Sequence, residues 1–598
     1  MELRAGVRSG LRAALAGVLL ALAAPGAAAA QDPQLPESQT EPPRFFERTA
    51  NEAERIAARA VKVREARADG PLDPTAYTRG AGRWQVSFFR DGDEVVQVLL
   101  DDRSGAVLEQ WDGDQVAWRM ARGYSGAFGR KLNAPWVWVP LCLLFLLPFI
   151  DFRRPVRLLH LDLLVLVGFG LSHVFFNRGE IGVSAPLVYP VLLYLLMRVL
   201  LAGFRPRERP GRLVPHVPLG WLAVALVFLV AFRVGLNAVD SNVIDVGYAG
   251  VIGADRIVDG DTLYGEGFSE DVERGDTYGP VTYMLYVPFE QALRWSGAWD
   301  DLPAAHGAAI AFDLLAIGGL LLLGRALRPG GEGRALGMGL AWAWAAYPYT
   351  AFVLETNAND TLVALACIGA LLAFARCGAA RDRRASTLYP SRGQTRRSVG
   401  IGRVEAGTGR RSGAGAAQRS RGAASGRRWA AAGGAAVGLG TAAKFAPLAL
   451  APLLARRSPV VFGVALVLTL AITVLPFVPD GGLRELYDRT VGYQAGRPSP
   501  FSVWGQVDSL DWLQTVVKFA AVGLALAVAF VPRRPEERQV AALGAAVLIA
   551  LQLAVTHWFY LYVVWFVPFV LVAIFGAYRE RVPEAETMPQ RDAEAVAA

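Results

Sequence analysis

Cysteine is scarce in this sequence of 598 residues, which contains three: Cys142, Cys367 and Cys377. All three stand in or beside apolar segments, and their spacing matches neither a disulfide framework nor a metal-binding motif. The sequence also lacks a P-loop, a protein-kinase motif and a recognisable internal repeat. These absences argue against a kinase-type sensor and against a transporter built from repeated halves.

Long apolar runs are abundant instead. The composition is 53% hydrophobic and the mean hydropathy is +0.31, which is too apolar for a water-soluble globule. A helix needs about 20 residues to cross the hydrocarbon core. Several runs approach this length: Pro135–Ile150, Val217–Val230, Pro459–Val478, Leu513–Val531, Val540–Val555 and Trp558–Ala577. We therefore predict an all-α polytopic membrane protein with about 10–12 transmembrane helices.

The net charge of +8 is concentrated in one tract. Between Arg381 and Arg428 there are 13 Arg against two acids, a local charge of +11, so the rest of the chain sums to 8 − 11 = −3. The tract is rich in Gly, Ser and Ala and has no periodicity, which is typical of a disordered loop. We predict a disordered cytoplasmic loop at 378–428 and no nucleic-acid partner.

The N-terminus has the pattern of an export signal. Three Arg precede the apolar run "AALAGVLLALAAPGAAAA", and Ala28 to Ala30 offer a small-residue cleavage site before Gln31. Residues 1–30 are predicted to be a signal peptide or an uncleaved signal anchor. Either alternative places the following residues on the extracytoplasmic side.

Residues 31–133 have a soluble composition and predict a small extracytoplasmic α+β domain. Apolar residues recur at helical spacing from Phe46 to Ala60. The stretch from Arg83 to Trp111 predicts three strands separated by Asp-Gly and Ser-Gly turns. One helix and three strands resemble a PepSY-like domain, whose pattern also ends on a "…D…SG.VL" strand. That resemblance implies extracytoplasmic regulation or binding, and nothing in this region predicts catalysis.

Arg-rich loops determine the predicted orientation, because Lys and Arg mark the cytoplasmic side of a membrane protein. The predicted cytoplasmic loops are 151–157, 204–212, 324–334, 455–458, 532–538 and 578–582. Opposite them, 177–185, 237–279, 355–360, 480–511 and the neighbourhood of His557 are predicted to be extracytoplasmic at the plasma membrane. This scheme requires that Val281–Trp295 does not cross, so we predict an interfacial or re-entrant segment there. Ala430–Leu454 is predicted to be a hairpin broken near Lys444 and Pro447.

The predicted organisation follows from these loops. It comprises transmembrane helices in 134–235, an extracytoplasmic loop with the interfacial segment in 236–303, transmembrane helices in 304–377, the cytoplasmic loop 378–428, transmembrane helices in 429–578 with an extracytoplasmic loop at 480–511, and a disordered cytoplasmic tail in 579–598.

Acidic residues crowd the predicted extracytoplasmic loop. Asp240 and Asp245 lie within a turn or two of the membrane surface, where a carboxylate is costly unless it is hydrogen-bonded or functional. We favour a functional role for these two over a helix N-cap or a solvated loop face. For the acids from Glu266 to Glu273, a solvated face is the favoured interpretation.

The order of motifs carries a second resemblance. A loop that opens on Asp is followed by "G..LY" at Gly260–Tyr264, by "YGPVTYMLYVPF" at Tyr278–Phe289 and, far downstream, by "GLGTAAKFAPLALAPLLARR" at Gly438–Arg457. This order resembles GT-C class glycosyltransferases, especially the polyprenol-phosphomannose-dependent mannosyltransferases of actinobacteria. The resemblance covers most of Trp221 to Ala577. The sequence departs from it by the Arg tract, by the extra N-terminal spans and by Gly279, where many relatives have Pro.

The resemblance implies an enzyme that transfers a mannose-like sugar from a polyprenyl phosphate to an extracytoplasmic acceptor. It implies that the first Asp of the loop is the general base. Asp245 is the better match, through Tyr248, and Asp240 lies nearer the span. The residues implied to form the wall of the substrate site are Tyr248, Tyr264, Tyr278, Gly279 and Pro280.

A phosphate leaving group also needs cations or hydrogen-bond donors. Arg489 and Arg497 bracket a polar aromatic loop that ends at Gln506, so these three are predicted to bind sugar or phosphate. His557 is either a further ligand or an aromatic-belt residue. Lys444 is predicted near the cytoplasmic side, packing or snorkelling. The polar stretch 355–361 either lines the cavity or caps a helix.

Two other functions stay open at the level of the sequence. One is a non-catalytic or transporter-like membrane protein that handles lipid-linked glycans, and the other is a membrane sensor with a PepSY-like domain. No metal ligand and no cofactor is predicted beyond the lipid-linked donor, and the sequence does not decide metal dependence. The predicted partners are membrane lipid, a polyprenyl-phosphate sugar and an acceptor that is a glycan, a lipid or a protein.

Overall fold

The structure is a computed structural model of the chain. It describes residues 33–80, 82–123, 128–265, 268, 274–297, 302–388 and 411–579, with the backbone alone for 381–388 and 411–423. The predicted signal segment, the acids Glu266 and Glu270 to Glu273, residues 389–410 of the Arg tract and the tail beyond Arg579 lie outside the described residues. Residues 378–388 and 411–428, which the sequence predicted to belong to a disordered loop, are helical.

The N-terminal unit is two helices packed on one antiparallel sheet. Its elements are α1 (Ala50–Ala57), α2 (Val61–Arg67), β1 (Asp73–Thr78), β2 (Arg83–Arg90), β3 (Asp93–Asp101) and β4 (Val107–Asp112), and the strand order is β1-β2-β3-β4. A capping box between Thr49 and Glu52 begins α1 by satisfying backbone N–H groups that the first turn leaves free. Asp91 and Gly92 both have positive φ, as a tight hairpin turn between β2 and β3 requires.

This unit differs from the prediction in two elements. The predicted single helix is divided, because Ala60 takes an extended backbone conformation before α2. Strand β1 was not predicted, because its Pro74 and polar residues hide an edge strand. The apolar spacing itself is confirmed, since Ala50, Ala53 and Ala57 are fully buried.

The rest of the described chain is a helical bundle. Its helices are α3 (Asp114–Ala117), α4 (Pro135–Leu146), α5 (Leu158–Asn177), α6 (Ile181–Phe204), α7 (Leu219–Asp240), α8 (Asp245–Asp259), α9 (Pro280–Met284), α10 (Val287–Ala292), α11 (Pro303–Leu327), α12 (Gly330–Ala346), α13 (Pro348–Glu355), α14 (Thr361–Leu388), α15 (Arg411–Ala443), α16 (Ala451–Leu454), α17 (Pro459–Val474), α18 (Gly482–Tyr487), α19 (Tyr493–Gly496), α20 (Val503–Gln506), α21 (Asp511–Ala527), α22 (Glu537–Ala554) and α23 (Val563–Phe575).

Among the described residues, eight helices are long and apolar enough to cross a membrane. Two shorter apolar helices, Pro135–Phe149 and Tyr560–Phe575, bring the count to the lower limit of the predicted range. The chain is therefore a multi-pass membrane protein. The predicted all-α polytopic class, with a small α+β unit at the N-terminus, is confirmed.

The Arg-rich loops meet at one end of the bundle, here called the Arg-rich end. Arg328 donates to the carbonyl of Tyr578 at 2.8 Å, and Arg538 donates to that of Arg207 at 3.3 Å. The short strands β5 (Arg209–Pro210) and β6 (Tyr578–Arg579) pair in parallel at the same place. This common position fits the common side that their charge predicts.

The Gly-Pro segment and the predicted hairpin both reach the opposite end. Helices α9 and α10 have five and six residues, too few to cross a membrane. Helix α15 ends at Ala443, and the chain returns through a 3₁₀ turn at Ala446–Leu450 to Arg457, which pairs with Glu537 at 2.7 Å.

The structure separates Lys444 from the Arg-rich loops, with which the sequence analysis had placed it. The 33 residues of α15 rise about 1.5 Å each, so the helix carries the chain along the whole length of the bundle. Lys444 therefore lies at the end opposite the Arg-rich loops, next to Asp360 at the start of α14.

Candidate functional site

Asp245 opens helix α8 beside the polar segment that precedes α14. The backbone N–H of Ile244 donates to the carbonyl of Thr356 at 3.2 Å. A Cβ added at Gly247 would lie 2.5 Å from the carbonyl oxygen of Asn357, so only glycine permits this approach. The first turn of α8 is thus held against 355–360, and Asp245 is held with it.

The Asp245 side chain is accessible to solvent, although protein atoms surround it. Burial raises the pKa of its carboxyl above the usual value, and the charge of Asp360 acts in the same direction. The positive charges of Arg497 and Lys444 oppose this shift. A carboxylate that is both accessible and enclosed lines a concave site, where it can meet a bound molecule.

A buried ion pair stands beside Asp245. The Lys444 Nζ lies 2.8 Å from Asp360 Oδ1, and both side chains are nearly inaccessible. The indole Nε1–H of Trp565 donates to the same oxygen at 2.8 Å. Asp360 Oδ2 is buried and has no hydrogen-bond partner among the described residues. The pair therefore keeps one acceptor unused next to the candidate base.

Tyr278 connects this pair with the Gly-Pro segment. The Lys444 ammonium lies 5.1 Å from the centre of the Tyr278 ring, within cation–π range. The Tyr278 carbonyl accepts a hydrogen bond from the Tyr264 hydroxyl at 2.7 Å, and its N–H donates to the Tyr283 hydroxyl at 3.2 Å. Burial, and after it the charge of Asp245, raises the pKa of Tyr278 well above its usual value.

Gly279 and Pro280 fix the angle of this segment. Gly279 is extended, and its N–H donates to the Ala443 carbonyl at 3.1 Å. An added Cβ would lie 2.1 Å from the carbonyl oxygen of Ala442, and a proline would remove the donor. Pro280 occupies the first turn of α9, where its missing N–H costs little. The Gly-Pro pair thus joins Tyr278 to the end of α15.

A second group of side chains completes the cluster. The Arg497 guanidinium lies 4.6 Å from the centre of the Trp118 ring, and its buried Nε–H has no hydrogen-bond partner among the described residues. His557 stacks on the same indole with ring centres 5.7 Å apart. Its Nδ1 lies 2.8 Å from the Ser499 hydroxyl. Burial, followed by the charge of Arg497, lowers the pKa of His557 to about 3, so the ring is neutral at physiological pH.

Two predicted charged residues are held outside this cluster. Asp240, at the end of α7, accepts a hydrogen bond from the Lys131 N–H at 3.1 Å, and the Lys131 ammonium lies 3.5 Å from its other oxygen. Arg489 pairs with Asp276 at 2.9 Å and with Glu485 at 2.8 Å. The Asp240–Lys131 and Arg489–Asp276 pairs connect segments of chain that are distant in sequence, which gives these residues a structural role.

Three other predicted residues support the site from behind. Tyr248 is buried and packs edge-on against Trp295. Tyr264 holds the Tyr278 carbonyl, as described above. The Gln506 amide donates to the carbonyls of Ile181 and Pro500 at 3.0 and 2.9 Å. These side chains pack behind the cluster, and the predicted residues whose side chains form the cluster itself are Asp245, Tyr278, Arg497 and His557.

Sequence reasoning missed Lys444, Trp565 and Trp118 as site residues, and it left Asp360 open between lining the cavity and capping a helix. The available signal was a lone lysine in an apolar run together with the acid of the "ETNANDT" stretch. Nothing in the sequence indicated Trp118, because it belongs to the N-terminal region, where no catalytic or binding residue was predicted. Within the described ranges, no group of three or more His, Cys, Asp or Glu is placed to hold a metal ion.

No family model matches the chain, and a comparison with curated proteins found no match. Among solved structures, it is similar to ArnT from Cupriavidus metallidurans bound to undecaprenyl phosphate. The sequence identity is 17%, the TM-score is 0.34, and the alignment covers 60% of this chain and 60% of that chain. The chain thus matches about three fifths of that protein's length. At this TM-score the function must be argued from the geometry of the site itself.

Proposed function

We propose that the protein is a membrane glycosyltransferase of the GT-C class that transfers a mannose-like sugar from a polyprenyl phosphate to an acceptor hydroxyl. The acceptor hydroxyl oxygen bonds to the anomeric carbon while the bond from that carbon to the phosphate oxygen breaks. The electron pair leaves with the polyprenyl phosphate, and the acceptor proton passes to Asp245. No metal is part of this scheme.

One observation carries the proposal. Asp245 is an accessible, enclosed carboxylate at the same place as two cations, and one of these, Arg497, has a buried N–H that meets no hydrogen-bond acceptor in the part of the chain that the structure describes. A general base and an anion-binding guanidinium side by side are what transfer from a sugar phosphate needs. The raised pKa of Asp245 supports a role in proton transfer, because it brings the carboxylate nearer to the working pH.

The Lys444–Asp360 pair gives the phosphate a second contact. When a phosphate binds, the Lys444 ammonium can donate a hydrogen bond to it. Asp360 still accepts the hydrogen bond from the Trp565 N–H. Tyr278 covers the ammonium on another side and limits water access. The polyprenyl phosphate formed in the reaction is thus stabilised by Arg497 and Lys444 together.

The transfer assay tests the assignment of the base. Membrane vesicles containing the protein are supplied with radiolabelled polyprenyl-phosphate mannose and an envelope extract as acceptor. Asp245→Asn should reduce transfer by about 10²-fold or more at normal abundance, because the base is lost. Asp259→Asn is the matched control, since Asp259 is exposed at the other end of the same helix.

Asp240→Asn separates the two predicted bases. Its transfer should follow its abundance, because Asp240 holds Lys131. Wild-type transfer by Asp245→Asn at normal abundance would refute the assignment. Absence of transfer by the wild-type protein, together with absence of polyprenyl-phosphate binding, would refute the function itself.

We also propose that the cluster and the PepSY-like N-terminal unit face the extracytoplasmic side. The charge of the opposite loops supports this orientation. On a background without Cys142, Cys367 and Cys377, Asp261→Cys should react with an impermeant thiol reagent in intact cells, and Gly331→Cys only after lysis. Both positions are exposed, at opposite ends of the bundle. The reverse labelling pattern would show that the protein has the opposite orientation in the membrane.

A further inference from the structure

Trp118 belongs to the N-terminal region, yet it stands in the middle of the candidate site. It follows helix α3, directly after the last strand of the sheet. The Arg497 guanidinium lies over its ring, His557 is stacked on it, and Phe501 meets it edge-on with ring centres 5.6 Å apart. The segment that joins the sheet to the bundle therefore forms one wall of the cluster.

Hydrogen bonds hold this segment on the bundle. The Gln115 amide donates to the carbonyls of Gly179 and Ala121, both at 3.2 Å. A Cβ added at Gly123 would lie 2.1 Å from the backbone nitrogen of Gly179, so the backbones of these two segments are in contact. After the undescribed residues 124–127, Gly129 donates to the Asn242 side chain at 2.6 Å.

The same segment is fastened to the sheet unit. The Lys62 ammonium on α2 pairs with Asp112 on β4 and donates to Gln115 Oε1 at 3.2 Å. Gln115 thus receives a hydrogen bond from the N-terminal unit and gives one to the bundle. A movement of α2 relative to the bundle would displace Gln115, and with it Trp118 three residues later.

We propose that Trp118 is a positioning residue for the donor phosphate, so that the N-terminal unit is an integral part of the binding site. The indole face holds the guanidinium plane of Arg497 and leaves its N–H groups directed at the anion. This inference rests on the proposed function, because it assigns Arg497 to the phosphate of the donor. It also gives the N-terminal unit a means to regulate donor binding through Gln115.

Kinetics in lipid nanodiscs test this inference with the full chain. For polyprenyl-phosphate mannose, Trp118→Leu should raise KM about tenfold and lower kcat by a smaller factor, because Arg497 contacts the phosphate both in the bound donor and as it leaves, while Asp245 stays in place. Trp118→Phe should lie between wild type and Trp118→Leu, because a phenyl ring is a weaker partner for a cation. Trp136→Leu is the matched control, since Trp136 is 75% exposed on α4.

A double mutant shows whether Trp118 acts through Arg497. Arg497→Ala alone should raise the donor KM at least as much as Trp118→Leu. The combination should be no worse than Arg497→Ala, because the indole then has no guanidinium to hold. Additive effects in the double mutant would overturn the inference.

The outcomes distinguish the inference from the proposed function. If the wild-type protein transfers the sugar, and the donor KM changes in Arg497→Ala but not in Trp118→Leu, the role of Trp118 is overturned. The proposed transferase function is then unaffected. Failure of wild-type transfer and of polyprenyl-phosphate binding overturns the proposed function. If Trp118→Leu does not accumulate, Trp118→Phe decides, and an unchanged donor KM in that variant overturns the inference.

Discussion

Two buried ion pairs in this bundle look alike and differ in one respect. Arg233 and Asp313 meet at 2.6 Å with both side chains almost inaccessible, as do Lys444 and Asp360 at 2.8 Å. Arg233 also donates to the Ala345 carbonyl at 2.9 Å, and Asp313 also accepts from the Trp344 indole at 2.8 Å. The first pair has its partners within the protein.

The second pair is incomplete, and the difference is informative. Asp360 Oδ2 has no partner among the described residues, and the Lys444 ammonium lies against the face of Tyr278. A saturated buried pair maintains a fold and leaves no capacity for a ligand. An unsaturated pair in a concave site retains donors and acceptors that a substrate can use. We therefore assign stability to the first pair and binding to the second.

The largest expected effect is on stability, from breaking the saturated pair. Arg233→Met leaves the Asp313 carboxylate buried without its partner, which should cost about 3–5 kcal/mol of unfolding free energy. The measurements are abundance and thermal unfolding in detergent, with Lys518→Met as a control at an exposed cation. Arg233→Met with Asp313→Leu should recover most of the loss. A single variant with the wild-type melting temperature would contradict this role.

The next effect is on transfer, from breaking the unsaturated pair. Lys444→Met should reduce transfer about 10²-fold, a loss of about 2.7 kcal/mol of transition-state stabilisation. Its melting temperature should fall less than that of Arg233→Met, because Trp565 still donates to Asp360. Lys518→Met again serves as the control. If Lys444→Met unfolds as readily as Arg233→Met, the two pairs have the same role.

A smaller effect should come from the backbone next to Lys444. In Gly279→Ala the new methyl group meets the Ala442 carbonyl, so the end of α15 must move. We expect a loss of about 1–3 kcal/mol in stability, together with reduced transfer. Gly496→Ala is the matched control, because an added Cβ there has nothing within 4 Å. Equal stability and equal transfer in the two variants would show that the backbone moves away from the added methyl group without loss of stability.

The smallest expected effect is a shift along the pH axis. Asp245 must be ionised to accept a proton, so kcat/KM should fall as the pH drops through its pKa, which burial places above the usual 3.8. Lys444→Met removes a charge that lowers this pKa, so the acidic limb of the residual activity should move to higher pH. Arg489→Leu should leave the limb in place, because Arg489 pairs with Asp276 and Glu485. A limb that moves in the opposite direction would exclude Asp245 as the titrating base.

The sequence was sufficient for features set by local composition. Apolar length predicted the spans, and the Arg-rich loops before and after Val281–Trp295 predicted that this segment does not cross. Asp245 was predicted as a site residue because a carboxylate is costly at a membrane surface, and Arg497 and His557 because cations are scarce on the predicted extracytoplasmic side. Tyr278 was implied by the GT-C resemblance. Each of these predictions uses residue type and position in the sequence.

The rest depended on contacts between distant segments. Nothing near Asp240 in the sequence indicates that Lys131 will meet it. Lys444 and Asp360 become partners only because α14 and α15 pack side by side, and Trp118 reaches Arg497 only because the sheet unit folds onto the bundle. A sequence pattern records burial and periodicity, whereas these pairings follow from how whole helices are arranged.

Among the described residues, the first apolar helix packs against the last, and this packing has a consequence for biosynthesis. Phe149, just after α4, packs at a tilt against Phe575 at the end of α23 with ring centres 4.6 Å apart, and Arg157 lies over the Tyr578 ring at 4.5 Å. Because a ribosome makes α4 early and α23 late, the first helix waits in the bilayer without its final neighbour while nearly the whole chain is translated. A nascent chain stalled before Phe575 should therefore remain open to proteases and to membrane chaperones, and release of the last helix should close the bundle in one step.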